Sequence, residues 1–169
     1  MITGNSKHPM ALGLFSLLCA ILVAHALYHY TILPERIATH FGTSGEPDAW
    51  GPKTVFFIWY LILTGAIAAI YLGTSRVLSP KHANWLSIPN REYWLSTERI
   101  HETLRFIRTG MLLLGSGTLL FLLDIMHQSF QVSLGNADRL SHIWTSVAIY
   151  IAFCAAWIIA LYRRFGKTG

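Results

Sequence analysis

Apolar runs alternate along the chain with short polar segments that hold almost all of its charge. A helix crossing a bilayer needs about 20 predominantly apolar residues. Four stretches meet or approach that length: about 10–32, 55–72, 110–126 and 143–161. The second and third are short by themselves. Phe56, Trp59 and Tyr71 suit the membrane interface and lengthen the second. The third extends N-terminally through a patterned helix, with Ser96 read as its N-cap and Glu98 in its first turn, where the helix dipole favours negative charge. There Ile100, Leu104, Ile107 and Met111 recur at helical spacing, with Arg99, Glu102, Arg105 and Arg108 on other faces. This stretch is either a cytoplasmic extension of span three or an interfacial amphipathic helix. Small residues recur every fourth position at Ser16, Ala20 and Ala24, at Gly65, Ala69 and Gly73, and at Ala148, Ala152, Ala156 and Ala160. Such stripes are expected to be the packing faces of a bundle. The predicted fold is all-α: a polytopic integral membrane protein of four transmembrane helices with a turn-rich outer loop, forming one membrane domain over 1–169.

Composition agrees with the pattern. Hydrophobic residues make up 53% and charged residues 12% of the 169, about half the usual charged share of a soluble domain. The net charge of +5 does not point to nucleic acid, because the basic residues flank apolar runs instead of forming a stripe. Ten of the thirteen Lys and Arg fall at Lys7, between spans two and three (Arg76, Lys81, Arg91, Arg99, Arg105, Arg108) and in the tail (Arg163, Arg164, Lys167). The other two connections hold Arg36, Lys53 and Arg139. By the positive-inside rule both termini and the 75–109 segment are expected in the cytoplasm and the 33–54 loop outside. Cys19 and Cys154 lie inside apolar runs and read as small hydrophobes, not as a disulfide framework. Lys7, an apolar run and Ala24-His25-Ala26 imitate a cleavable signal peptide. The apolar character continues through Tyr28, Tyr30, Ile32 and Leu33, which favours a spanning helix.

Within the 33–54 loop, residues 33–53, LPERIATHFGTSGEPDAWGPK, are where residue choice is least explained by lipid. Pro34, Pro47 and Pro52 with Gly42, Gly45 and Gly51 exclude helix and favour turns. Glu35, Arg36, His40, Glu46, Asp48 and Trp50 add chemistry suited to recognition. Glu46 and Asp48 could form an acid/base pair, but carboxylates bonding local amides in a solvated turn is the simpler reading.

Histidines 25 and 29, spaced i, i+4, share a face near the outer end of span one, with His25 about 10 Å below its boundary. Asp124 and His127 do the same at the end of span three. With His40 and His142, five of the eight histidines gather on the expected outer side. Ionisable groups in a span default to a functional hypothesis, and imidazole with carboxylate suits zinc, copper or iron. A metal set of His25, His29, Asp124 and His127 stands against the simpler reading of interfacial, hydrogen-bonded histidines. No HExxH, GxSxG, P-loop or GxGxxG is present, no catalytic residue is assigned and no cofactor is predicted beyond that transition metal. Gly115-Ser116-Gly117 lies mid-span and reads as a packing or bending site.

Leu33, Pro34, Ile37, His40, Phe41, Gly45, Pro47, Asp48, Trp50, Gly51 and Lys53 together resemble the signature of the domain of unknown function 1648 (DUF1648) family. Two positions depart from it, Ala38 where Pro is usual and Pro52 where Ser is usual. The resemblance covers the first two spans and their loop. It implies a protein of the bacterial inner membrane, akin to the N-terminal part of SdpI-type bacterial immunity and signalling membrane proteins, whose further spans are not expected in these 169 residues. The implied binding positions are Pro34, His40, Phe41, Gly45, Glu46, Pro47, Asp48, Trp50, Gly51 and Lys53. The expected role is non-catalytic: binding, sensing or immunity through the outer loop. The alternatives are a metal- or proton-linked transporter or accessory protein and a structural subunit of a membrane complex. Expected partners are the bilayer and another membrane protein or a secreted peptide, with no nucleic acid.

Overall fold

A computed structural model describes residues 7–168, and the statements below concern those residues. The side chain of Lys7, counted above as a basic flank, lies outside the described residues. The chain forms α1 (Lys7–Ile32), β1 (Arg36–Phe41), β2 (Pro47–Pro52), α2 (Lys53–Val77), a 3-10 turn (Pro80–Trp85), the single-turn α3 (Arg91–Trp94), α4 (Ile100–Ser133) and α5 (Ile143–Phe165). Helices α1, α2, α4 and α5 are each long and apolar enough to cross a membrane, so the chain is a multi-pass membrane protein. The two spans that looked short, 55–72 and 110–126, extend to 25 and 34 residues. The patterned segment before span three is therefore its extension.

Two details of that extension differ from expectation. Helix α4 begins at Ile100, with Arg99 at the N-cap position. Ser96 instead heads a preceding turn, its carbonyl accepting from the amides of Arg99 and Ile100. Glu102, not Glu98, then lies in the first helical turn. The displacement follows from Thr103, whose buried hydroxyl donates to the Trp94 carbonyl and ties the helix start to α3.

Helix α4 is the hub. Phe15, Leu18, Leu22 and Ala26 of α1, Phe57 and Tyr60 of α2, and Leu112, Leu119, Leu122 and Phe130 of α4 form one buried cluster. Helix α5 packs chiefly on α4, through stacked pairs Phe106–Trp157 and Phe121–Tyr150. Hydroxyls of Tyr71, Thr118 and Tyr150 link α2, α4 and α5 in a chain of hydrogen bonds at 3.2 and 2.9 Å, a form of polar glue suited to lipid.

The small-residue stripes are not the packing faces. Ser16, Ala20, Ala24, Gly65, Ala69 and all four alanines of α5 are exposed, and nothing approaches within 4 Å of Gly65 or Gly73. Close approach occurs at glycines of α4. A Cβ at Gly110 would lie 1.6 Å from Trp157, at Gly115 2.6 Å from Phe15 and Tyr71, and at Gly117 2.3 Å from Phe153. The hub helix supplies the hollows and its neighbours supply aromatic rings, which gains more dispersion contact than small against small. Gly115 and Gly117 thus serve in packing, as expected for that motif, and the helix runs through them unbroken.

At the end opposite the hairpin, the segment between α2 and α4 closes the bundle. Asn90 and Trp94 donate to the Phe165 carbonyl at 2.9 and 3.2 Å. Arg108 donates to the Leu78 carbonyl, capping α2. Arg164 pairs with Glu102 and lies over the rings of Phe106 and Trp94. Both cysteines are free and partly buried.

Candidate metal centre and hairpin cap

The loop read from its prolines and glycines as turns is a two-stranded antiparallel hairpin. Pro47 and Pro52 stand at the two ends of β2, where a missing amide hydrogen is tolerated. Two offsetting bulges, at Thr39 and at Asp48, interrupt the register between Ala38↔Trp50 and Phe41↔Pro47. They erase the alternation of polar and apolar positions by which strands are recognised. At the tip Gly45 has φ +81°, open to glycine, and its carbonyl accepts from the Leu140 amide at 2.8 Å.

Most of the signature serves to hold this hairpin in place. Ile37 and Ala38 are fully buried. The Ala38 amide donates to Ser133 Oγ at 3.1 Å, a bond that a Pro at this position would forbid. Pro52 sits at the N-cap of α2 with no side-chain cap. Lys53 Nζ donates to the Leu33 carbonyl at 3.0 Å and meets Glu35 at 3.2 Å, which locks the base of the hairpin. His40 Nδ1 donates to Asp48 across the strands at 2.5 Å, on the exposed side. Trp144 of α5 donates to the Thr43 carbonyl. Glu46, Pro34 and Trp50 remain exposed, and a Cβ at Gly51 would stand 3.0 Å from the Thr39 side chain, a tight contact. Beneath the hairpin lies a cavity of about 450 Å³ lined by His40, Phe41, Ser129 and Trp144 among others.

Three of the four residues expected to hold metal converge at this end. The ring nitrogens of His25, His29 and His127 include one from each that lie within 4.8 Å of one another. His29 Nδ1 donates to the His25 carbonyl at 2.9 Å. A carbonyl can only accept, so this bond places the hydrogen on Nδ1 and leaves the Nε2 lone pair free for a ligand. The Gln131 carboxamide lies 3.4 Å from His127 Nε2, and His127 Nδ1 faces His25 Nε2 at 3.5 Å. That spacing is close to the ~3.3 Å between two nitrogens bound at about 2.0–2.1 Å to one tetrahedral ion. A metal on Nδ1 requires the ring hydrogen on Nε2, where the Gln131 carboxamide oxygen accepts it once the amide is turned over. His25 Nδ1 is buried without a hydrogen-bond partner among the described residues. Phe130 packs against both α1 rings, at 5.4 Å from His25 and 4.9 Å from His29, and fixes their orientation.

Asp124 does not join them. Its Oδ2 accepts from Gln128 at 2.8 Å and from Ser146 at 2.6 Å, which turns the carboxylate towards α5. At i, i+3 the two side chains of one helix diverge by about 60°, enough for His127 to meet α1 while Asp124 meets α5. His142 is exposed at the start of α5, and its amide donates to Gln128 Oε1. Residues that the sequence did not single out are Phe130 and Gln131, which orient the imidazoles; their one signal was helical spacing from His127.

Residues 17–64 match the family model described as Domain of unknown function (DUF1648). The match covers most of α1, the hairpin and the first half of α2, so it includes His25 and His29 but not His127. The chain is also similar to an uncharacterized protein of Archaeoglobus fulgidus, 28% identical over 106 residues. That alignment covers 62% of this chain and 56% of the relative, so the chain spans little over half the relative's length. No solved structure matches.

Proposed function

We propose that this DUF1648-containing membrane protein is a non-catalytic binding protein that holds a first-row transition metal at His25, His29 and His127, beneath the hairpin. The observation that carries this reading is the convergence of three imidazoles from two helices. An i, i+4 pair on one helix supplies two ligands, and the third comes from a helix that packing forces against it. Three neutral imidazoles with a fourth position left to water or an external ligand suit zinc or copper. The hairpin end faces outward in this reading, because Arg36, Lys53 and Arg139 are the basic residues there against the many at the other end.

The test is purification of the full chain in mild detergent followed by metal analysis. The wild type is expected to carry a stoichiometric metal ion, and His25→Ala with His29→Ala to lose it. Equal metal in both proteins would refute the site. A second reading, recognition of an external partner by the hairpin, is favoured by exposed Trp50, the exposed His40–Asp48 pair and the cavity below. It includes the immunity-type role that the family resemblance implies. His40→Ala with Asp48→Ala separates the two: this variant keeps its metal under the first reading and loses partner capture under the second.

A further inference from the structure

Asp124 is an ionisable group within a membrane span that the metal centre leaves out. It lies nine residues before the end of α4, about 14 Å along the helix. A charge within a span is costly unless it is matched. Both of its hydrogen bonds come from neutral donors and fall on Oδ2. Among the described residues no hydrogen bond or ion pair reaches Oδ1. Asp124 and Ser146 line a crevice of about 540 Å³ between α1, α4 and α5, with walls that include Leu14, Leu120, Ile149 and Phe153. That volume lies within the roughly 300–1,000 Å³ of small-molecule sites.

We propose that this crevice binds a cationic amphiphile, with a single ammonium group on Asp124 and an alkyl body along the apolar walls. Charge complementarity selects the head: one carboxylate with an unengaged oxygen accepts one ammonium. No Lys, Arg or His lines the crevice, so the phosphate of a zwitterionic lipid would find no counter-charge. That argues for a singly charged amine and against a bilayer phospholipid. The apolar walls select the tail, because they give a polar polyamine nothing to contact.

The experiment uses the full chain in mild detergent, with dodecylammonium, dodecanol and phosphatidylethanolamine as probes and the thermal midpoint as readout. A ligand that binds the folded state raises the midpoint with concentration. Dodecylammonium should act at about tenfold lower concentration than dodecanol, as one charge-assisted hydrogen bond implies. Asp124→Asn should erase that difference while leaving the dodecanol response. Leu120→Trp, placed at a half-exposed wall position, should fill the crevice and weaken both. The proposal is overturned if the two alkyl probes act alike on the wild type, or if Asp124→Asn keeps its preference for the amine. Displacement of the amine by phosphatidylethanolamine overturns the choice of a singly charged ligand. Should Asp124→Asn fail to fold, the wild-type comparison and Leu120→Trp decide the matter alone.

Discussion

Substituting Gly110 and Gly65 with alanine separates the real helix contacts from the apparent ones. At Gly110 the new Cβ would sit 1.6, 2.2 and 2.5 Å from three atoms of the Trp157 ring. Carbons in contact stand about 3.5–4.0 Å apart, so the ring, or α5 with it, must retreat by about 2 Å. Overpacking of this kind costs about 1–3 kcal/mol. Alanine returns up to about 1 kcal/mol through helix propensity, which leaves a net loss of about 0–2 kcal/mol and keeps Gly110→Ala about 1–3 kcal/mol worse than the same change at an open position. At Gly65 the same Cβ meets nothing within 4 Å. There only the propensity term acts, and Gly65→Ala should be neutral or stabilising by up to about 1 kcal/mol. Reversible unfolding in mixed micelles of mild detergent and dodecyl sulfate, followed by far-ultraviolet circular dichroism, gives the two values. If Gly65→Ala costs as much as Gly110→Ala, the Gly65 stripe is a packing face and the hub arrangement is wrong.

The hairpin carries two further predictions. Lys53→Met removes the bond to the Leu33 carbonyl and should lower stability by about 1–3 kcal/mol, whereas Glu35→Gln, at an 87% exposed partner, should stay within about 0.5 kcal/mol; thermal melts of the two variants check the contrast. Ala38→Pro deletes the donor to Ser133, at a cost of about 1 kcal/mol. That cost should shrink when Ser133 is already alanine, and a double-mutant cycle measures the coupling.

The candidate site was legible only in part, and its parts show why. His25 and His29 could be paired from spacing alone, because the helix itself sets their common face. His127 could be placed at the same depth but not at the same point. Depth follows from counting along a helix, while azimuth follows from which helices touch. Asp124 failed on that account: it is at the right depth and turns to the wrong neighbour. The hairpin was hidden for a different reason. Prolines and glycines announced turns, and two bulges removed the period-two signal that would have announced strands.

Four spans and their alternation were determined by the sequence itself, since lipid demands long apolar helices whatever the packing. So was the concentration of basic residues at one end. Tertiary structure alone decided which helix is the hub, and with it the role of every small residue. A glycine in an apolar run looks the same whether it faces lipid, as Gly65 does, or receives a tryptophan ring, as Gly110 does. In a membrane both faces of a helix are apolar, so hydropathy cannot tell inside from outside; shape and a few hydrogen bonds make that choice.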